Sequence, residues 1–316
     1  MNFALSIVVP VYNGSKTVPQ LVEELARLDV PGGHEVVLVN DGSPDNSLEV
    51  CREICRSASV AVTVVDLARN FGEHNAVMAG LGVARGDHIV TMDDDLQNPP
   101  SEVVRLWRYA KDNDLDVVYT FYAKKQHEGW RNAGSKLTNL FAHFLVDKPR
   151  DVYLSSFRCI SSFIARTVTT HGGPYPYIDG LIMQTTRRIG RLQVEHLPRV
   201  EGRSNYTLRR LVRLFLSMML NFSVIPLRVA SIVGIVIACV GVIGLVLVII
   251  EGLHSGTPRG WASIMAVLLT ISGVQLMVLG VIGEYLGRLF LTINRKPQYV
   301  IRDIERNDAA KSGTQS

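Results

Sequence analysis

The chain reads His88-Ile89-Val90-Thr91-Met92 and then Asp93-Asp94-Asp95-Leu96-Gln97-Asn98-Pro99, so a short apolar run leads directly into three carboxylates. A run of this kind, bounded by turn residues, is typical of a buried parallel strand. Three adjacent carboxylates repel one another, and a divalent cation is the simplest way to hold them together away from water. The sequence therefore predicts a cation site at the end of this strand.

The order of the polar side chains predicts which of them bind the cation. Asp93, Asp95 and Gln97 alternate, and an extended backbone would point all three to one side. They form an all-oxygen ligand set, which suits Mg2+ or Mn2+ and leaves positions for diphosphate oxygens. The alternative is a solvated acidic turn before a helix that is capped by Asn98 and has Pro99 in its first turn.

The N-terminal two thirds of the chain alternates apolar runs with amphipathic stretches. The predicted strands are Leu5–Val11, Glu35–Val39, Val62–Leu67, His88–Met92 and Asp116–Thr120. The predicted helices are Lys16–Leu28, Asp45–Arg56, Glu73–Ala84, Pro99–Lys111, Ser155–Thr170 and Ile178–Arg188. Such alternation predicts an α/β fold with a Rossmann-like, mostly parallel sheet that is covered by helices on both faces.

Polar motifs follow each of the first four predicted strands. They are Pro10-Val11-Tyr12-Asn13, Asn40-Asp41-Gly42-Ser43, Ala68-Arg69-Asn70-Phe71-Gly72 and the acidic run that begins at Asp93. The carboxyl ends of parallel strands meet at one edge of a sheet, where α/β folds bind ligands. Together the motifs predict a nucleotide pocket at this edge, although the same residue types also dominate ordinary turns.

Two long uncharged runs, Val229–Ile250 and Trp261–Gly283, occupy the C-terminal part. Each is near the roughly 20 residues that span a bilayer and is apolar all round, which predicts a transmembrane hairpin rather than two buried core helices. Arginine and lysine residues flank the outer ends of the hairpin, whereas the connecting segment Glu251–Gly260 holds one arginine. The positive-inside rule then places both chain ends and the N-terminal domain in the cytoplasm.

The charge distribution also favours a membrane partner. Asn205–Phe222 carries apolar residues at helical spacing against three arginines, which predicts a basic amphipathic helix on the membrane surface, with a core helix as the alternative. The formal net charge is a modest +4, and the arginines cluster beside the apolar runs, a pattern that fits anionic lipid better than nucleic acid. The four cysteines show no CxxC spacing and are expected to be reduced thiols.

Five motifs stand out along the chain: Ser6-Ile7-Val8-Val9-Pro10-Val11-Tyr12-Asn13, Asn40-Asp41-Gly42-Ser43, Arg69-Asn70-Phe71-Gly72, Asp93-Asp94-Asp95-Leu96-Gln97 and Gly283-Glu284-Tyr285-Leu286-Gly287-Arg288. Together they resemble the family 2 glycosyltransferases of GT-A fold. The nearest subgroup is the polyprenyl-phosphate glycosyltransferases with two C-terminal membrane helices, which includes dolichyl-phosphate mannose synthase-like, glucosyl and aminoarabinosyl enzymes. The resemblance covers nearly the whole chain.

This resemblance implies a metal-dependent, inverting enzyme of the inner (cytoplasmic) membrane. It implies transfer of a single sugar from a nucleotide diphosphate, expected to be a UDP-sugar, onto a polyprenyl phosphate, expected to be undecaprenyl phosphate. The product is expected to serve the cell envelope, including its lipopolysaccharide. Homologous enzymes that form tetramers imply a homo-oligomer.

The resemblance also implies roles for individual residues. The nucleotide is expected to contact Pro10, Tyr12, Asn13, Asp41, Arg69, Asp93, Asp94 and Arg199. The metal is expected to bind Asp93, Asp95 and Gln97. The expected catalytic set is Asp95, Arg131, Ser135 and Arg158, with Arg131 and Ser135 in the segment that binds the acceptor phosphate. His74 is expected either to contact the nucleotide or to have a structural role at the start of its helix.

Two departures from the family pattern bear on this site. Asn13 stands where relatives usually have Glu, and Ser156-Phe157-Arg158 stands where many have Asp-Phe-Arg. The second change removes a carboxylate that has been proposed as a base, so the identity of any base stays open. A lipid phosphate has its second pKa at about 6 and is mostly anionic at neutral pH, so such a nucleophile needs positioning more than deprotonation.

The expected organisation has four parts. They are a cytoplasmic GT-A domain over residues 1–204, an interfacial helix over 205–228, the transmembrane hairpin over 229–283, and a juxtamembrane helix with a tail over 284–316. The segment Lys296–Ile301 is expected to be extended and to return to the soluble domain. One alternative is a catalytically silent, membrane-anchored scaffold or nucleotide-sugar-binding protein. Another is a processive polysaccharide synthase, whose Gln-x-x-Arg-Trp motif the sequence lacks.

Overall fold

The computed structural model describes residues 3–122, 154–173, 176–195, 197, 260–294 and 297–307, with scattered positions between 232 and 250. The chain divides into two compact units. The first consists of Met1–Asn205 with Lys296–Ser316, and the second of Tyr206–Arg295. The four-part organisation expected from the sequence remains a prediction.

A single mixed β-sheet organises the described part of the first unit. Its strand order is β7-β5-β6-β4-β1-β2-β3-β8. The strands are β1 (Phe3–Val11), β2 (His34–Asn40), β3 (Ala61–Leu67), β4 (Gly86–Thr91), β5 (Val117–Tyr122), β6 (Arg158–Ser161), β7 (Ile189–Val194) and β8 (Ile301–Asn307). The first five coincide with the strands expected from the apolar runs, because burial on both faces requires continuous apolar sequence.

The pairing of the strands is less uniform than expected. β4, β1, β2 and β3 are all parallel to their neighbours, and so are β5 and β7. β6 runs antiparallel to both β4 and β5, and β8 runs antiparallel to β3. Among the described strands the sheet is therefore mixed, with four parallel and three antiparallel pairings and a parallel centre.

Helices cover both faces of this sheet, as expected. Their bounds are α1 (Val18–Ala26), α2 (Ser47–Ser57), α3 (Glu73–Val83), α4 (Pro100–Asp112), α5 (Ser162–Thr169) and α6 (Ile178–Thr185). α1, α2 and α4 pack against the same core as Ile7 and Leu38. α3 packs on the opposite face, with α5 and α6 beside it. Gly80 permits this close approach, because a Cβ there would stand 2.3 Å from a methyl group of Val8.

Two of the expected helices are shorter than the sequence suggested. Within the segment 155–170, residues Arg158–Ser161 form β6, and the helix begins at Ser162. The Ser161 hydroxyl caps this helix by accepting a hydrogen bond from the Ile164 N–H. Within 178–188, α6 ends at Thr185, and β7 then begins at Ile189. Cys159 and Ile160 are fully buried between β4 and β5, so tertiary burial overrides the helical spacing of this apolar stretch.

The chain returns to the sheet edge as β8, a strand that begins at Ile301, where the expected extended segment ends. It pairs with β3 from Val62 to Leu67. Two arginines of α2 form ion pairs with its carboxylates: Arg52 with Asp303 at 3.1 Å, and Arg56 with Glu305 at 3.1 Å. All four side chains are partly exposed, so these pairs contribute little beyond the backbone ladder.

A buried charge fixes the edge of the sheet where the parallel strands begin. Glu35 is fully buried in β2 and accepts hydrogen bonds from Ser6 of β1 (2.7 Å) and from the backbone N–H of Arg85 (2.7 Å). The Arg85 guanidinium forms an ion pair with the same carboxylate at 2.6 Å. This network ties β1, β2 and the start of β4 at the end opposite to the polar motifs.

In the second unit, helix α7 spans Trp261–Ile293, which is 33 residues. Its first part is the uncharged run identified from the sequence. Among the described residues, no helix is both long and apolar enough to cross a membrane. The amphipathic segment 205–222 and most of the run 229–250 lie outside the described residues, so the hairpin stays a prediction.

Candidate active site

The ends of β2 and β3 are held together by the Asp41 side chain. Its two carboxylate oxygens accept hydrogen bonds from the backbone N–H groups of Phe71 (2.7 Å) and Gly72 (2.9 Å). Burial raises the pKa of Asp41 above its ordinary value, and those two N–H groups oppose the rise. Gly42 adopts a φ of 59°, and a Cβ there would stand 2.5 Å from the backbone of Arg69. The two motifs therefore form one tightly packed edge.

The motif after β1 joins the same edge through serine hydroxyls. Ser43 accepts a hydrogen bond from the Asn13 N–H at 3.3 Å, and Ser47 accepts one from the Gly14 N–H at 3.0 Å. Asn13 has a φ of 58°, a conformation that Asn tolerates better than most residues. Tyr12 is 50% exposed, so its ring is available to a ligand at this edge.

The acidic loop after β4 does not continue as a strand. β4 ends at Thr91, and Leu96 adopts a φ of 59°. The Gln97 N–H turns back to donate to the Asp95 carboxylate at 3.1 Å, a local bond that Asp readily makes with the backbone two residues on. The expectation that Asp93, Asp95 and Gln97 alternate along extended backbone is therefore wrong.

The turn also directs the Gln97 amide elsewhere. Its Nε2 donates to the Leu197 carbonyl at 3.4 Å, and the Leu197 N–H donates to the Gln97 carbonyl at 2.8 Å. Within the described ranges, no group of three or more His, Cys, Asp or Glu side chains is arranged to hold a metal ion. The chemistry of the donor set still fits a hard divalent cation, since carboxylate and amide oxygens crowd into one short loop.

The crowding of these carboxylates has its clearest effect on the pKa of Asp94. Burial, together with the charges of Asp93 and Asp95, raises the pKa of Asp94 to about 7. Its Oδ2 is buried and has no hydrogen-bond partner among the described residues. The same oxygen lies 2.2 Å from the point where a Cβ on Gly14 would stand, so only glycine fits opposite it. Asp94 thus faces inward against the end of β1.

Asp94→Asn is expected to flatten the pH dependence of stability. The folded pKa of about 7 exceeds the ordinary value of 3.8, so between these values the folded chain holds a proton that the unfolded chain has released. The free energy of unfolding should then fall as pH rises through this window. Relative to wild type, the variant should gain about 1–3 kcal/mol between pH 5 and pH 8.

Urea denaturation in the presence of a chelator measures this difference. The matched control is Asp87→Asn, which changes an exposed aspartate at the other end of β4 and should run parallel to wild type. Equal slopes for wild type and Asp94→Asn would show that Asp94 is ionised throughout the range.

Ser156 borders the acidic loop on the β6 side. Its hydroxyl donates to Asp93 Oδ2 at 2.8 Å, and its carbonyl accepts from Thr91 Oγ1 at 2.5 Å. The structure thus places a neutral hydrogen-bond donor beside Asp93.

Arg158, an expected catalytic residue, is 3% exposed and belongs to a buried polar cluster. Its guanidinium forms an ion pair with Asp179, which also accepts a hydrogen bond from the Tyr119 hydroxyl at 2.9 Å. The ring of Tyr177 meets the His74 ring edge to face at 5.8 Å between centroids, and burial lowers the pKa of His74. This contact agrees with a structural role for His74, and its expected contact with the nucleotide stays a prediction.

Sequence reasoning missed Asp179 and Tyr119. The available signal was a lone carboxylate in the apolar segment Tyr177-Ile178-Asp179-Gly180-Leu181, which predicts a buried charge with a partner. Of the other expected residues, Arg69 is exposed, with its guanidinium 4.6 Å from the ring centroid of Phe71. Three expected residues lie outside the described residues: Arg131, Ser135 and Arg199.

Comparison with known families identifies two matching regions. Residues 6–168 match the family described as Glycosyl transferase family 2. Residues 225–289 match the family described as GtrB C-terminal hairpin.

Curated relatives match over almost the full length. The chain is 34% identical to an undecaprenyl-phosphate 4-deoxy-4-formamido-L-arabinose transferase of Aeromonas hydrophila subsp. hydrophila, over 98% of this chain and 96% of the relative. It is 35% identical to the transferase of the same name from Pseudomonas savastanoi pv. phaseolicola, over 96% of this chain and 92% of the relative.

Among solved structures, the chain resembles glucosyl-3-phosphoglycerate synthase from Mycobacterium tuberculosis, crystallised with Mn2+, UDP-glucose and phosphoglyceric acid. The TM-score is 0.51 and the identity 18%, over 69% of this chain and 78% of that one. This likeness supports the GT-A-like α/β fold with its mixed sheet.

Proposed function

The chain belongs to glycosyl transferase family 2, and from that premise we propose that it transfers one sugar from a UDP-sugar to undecaprenyl phosphate. One observation carries the proposal within this family. The Asp41 carboxylate links the end of β2 to the loop after β3 through hydrogen bonds. The acidic loop leaves β4 at the same edge of the sheet. A donor nucleotide at this edge would lie beside Tyr12 and Arg69, with its diphosphate toward Asp93 and Asp95.

Mg2+ or Mn2+ is the proposed cofactor, held by Asp93 and Asp95. Gln97, whose Nε2 donates to Leu197, remains a predicted ligand through its oxygen. When bound, the ion supplies positive charge that neutralises the nucleotide diphosphate. The protonation of Asp94 near neutral pH limits the negative charge of the loop before a cation arrives. The mycobacterial synthase of the same fold was crystallised with Mn2+, which supports this choice of cofactor.

The acceptor phosphate is proposed to act as the nucleophile itself. It is largely dianionic at neutral pH, so the chain has to orient it and does not have to deprotonate it. Direct attack of its oxygen on the anomeric carbon inverts the configuration of the sugar. Ser156 in place of a carboxylate agrees with this chemistry, since no base is needed at that position. Arg131 and Ser135 are the proposed contacts of the acceptor phosphate.

The enzyme is proposed to reside in the inner membrane, with both ends and the first unit in the cytoplasm. The uncharged runs 229–250 and 261–283, the flanking arginines and the match to a C-terminal hairpin support this topology. Single cysteines at Ser255 and Ser312 test it with a membrane-impermeant thiol reagent on spheroplasts. Labelling is expected at position 255 alone, and labelling at 312 alone would mean the reverse orientation.

Donor screening with purified full-length protein tests the proposed reaction. UDP-linked sugars, starting with UDP-4-deoxy-4-formamido-L-arabinose, are incubated with undecaprenyl phosphate and Mn2+, and lipid products are identified by mass spectrometry. The expected product carries one sugar on the lipid phosphate. Binding of UDP-sugars without any transfer would favour the scaffold alternative, and products with several sugars would favour a processive synthase.

A further inference from the structure

The Ser156 hydroxyl donates a hydrogen bond to Asp93 Oδ2 at 2.8 Å. Hydrogen bonds to the backbone of Ser156 and of the next residue hold this segment against the sheet. On the strand side, the Ser156 carbonyl is bound by the hydroxyl of Thr91, a buried residue at the end of β4. A hydroxyl in such a setting has few alternative positions, so its bond to Asp93 is held in place by the fold.

The neighbours of Ser156 complete this anchorage. Phe157 is fully buried, its N–H donates to Ser155 Oγ at 3.2 Å, and its carbonyl accepts from Thr120 Oγ1 at 2.7 Å. Arg158 follows directly and is bound to Asp179. Contacts with β4, β5 and α6 therefore determine where Ser156 stands relative to the acidic loop.

We propose that Ser156 is a positioning residue, which fixes the orientation of the Asp93 carboxylate for the metal ion and the donor diphosphate. The inference rests on the proposed function. A hydroxyl donor stabilises the ionised carboxylate through a charge-assisted hydrogen bond. It adds no charge to a loop that already contains three aspartates. Partners that orient a metal-binding carboxylate typically contribute 10- to 100-fold to metal affinity.

Mn2+ binding to the full-length protein tests this inference directly. Free Mn2+ is measured by electron paramagnetic resonance during titration in the presence of UDP, without any acceptor or sugar transfer. Ser156→Ala is expected to weaken Mn2+ binding at least about tenfold. Ser156→Thr keeps a hydroxyl at a half-buried position and should stay within about threefold of wild type, because the hydrogen bond can still form.

The matched control is Ser161→Ala, the same substitution at the last residue of β6. It removes the helix cap on Ile164 and leaves the acidic loop intact, so Mn2+ affinity should equal that of wild type. Melting temperatures show whether each variant is folded at the titration temperature. Wild-type affinity in Ser156→Ala, or an equal loss in Ser161→Ala, would overturn the inference. A wild-type chain that transfers no sugar and binds no Mn2+ with UDP would instead overturn the proposed function, and this inference with it.

Discussion

Asp95→Asn is expected to lower kcat/KM for sugar transfer by about 10²- to 10⁴-fold while leaving the fold intact. The charge of a proposed metal ligand disappears, and the positive charge that neutralises the departing diphosphate is then poorly held. Asparagine retains a side-chain oxygen, which can still accept the hydrogen bond that the Gln97 N–H donates to Asp95 at 3.1 Å. The turn at Leu96 should therefore persist, and the loss should reflect chemistry rather than a rearranged loop.

Initial rates with saturating undecaprenyl phosphate and varied UDP-sugar measure this effect. Asp87→Asn makes the same change at the opposite end of β4, where the side chain is exposed, and should retain wild-type rates. Excess chelator should reduce the wild-type rate to that of the Asp95→Asn variant. Full activity of the wild-type enzyme in chelator would show that no divalent ion takes part.

The parallel centre of the sheet could be predicted because each strand is recognisable from its own residues. β1 to β3 are almost entirely buried, and the second half of β4 is buried as well, so apolar residues dominate each strand, and each is followed by turn residues. The meeting of their polar ends then follows from parallel geometry alone. The sequence alone therefore predicts that Asn13, Asp41 and Asp93 lie at one edge.

The features that could not be predicted from the sequence depend on contacts between residues far apart in the chain or on unusual backbone angles. β6 has four residues, too few to show a period, and it is a strand because β4 and β5 lie on either side of it. The turn at Leu96 requires a positive φ that leucine rarely adopts, so nothing in the sequence pointed to it, and the alternation of Asp93, Asp95 and Gln97 suggested extended backbone instead. The bond between Ser156 and Asp93 spans 63 positions in sequence and has no local signature.

Asp41 illustrates the difference between a motif and its geometry. The family resemblance implied a contact with the nucleotide. In the structure both of its oxygens accept backbone N–H groups of the β3 motif. These bonds fix the edge against which a nucleotide would bind. Asp41 therefore has a structural role, whether or not it also contacts the nucleotide.

The buried cluster of Arg158, Asp179 and Tyr119 leads to the largest expected effect on stability. Asp179→Ala should lower the free energy of unfolding by about 3–5 kcal/mol, because the Arg158 guanidinium would remain buried without its carboxylate. The Tyr119 hydroxyl would also lose the acceptor that it now meets at 2.9 Å. β5, β6 and α6 each contribute one member of this cluster, so its loss should loosen the anchorage of the segment that carries Ser156.

Denaturant unfolding of the full-length protein measures this loss, with Asp303→Ala as the matched control. Asp303 pairs with Arg52 at 3.1 Å, but both side chains are substantially exposed, so its removal should cost no more than about 1 kcal/mol. Replacing both charges, as Arg158→Met with Asp179→Leu, should recover most of the stability lost in Asp179→Ala, since no unpaired buried charge remains. The double variant also separates the two roles of Arg158. If the arginine acts on the substrate, the recovered fold should still lack activity; if it acts only as the partner of Asp179, sugar transfer should return together with stability. An Asp179→Ala protein as stable as wild type would mean that Arg158 finds another partner in the folded chain.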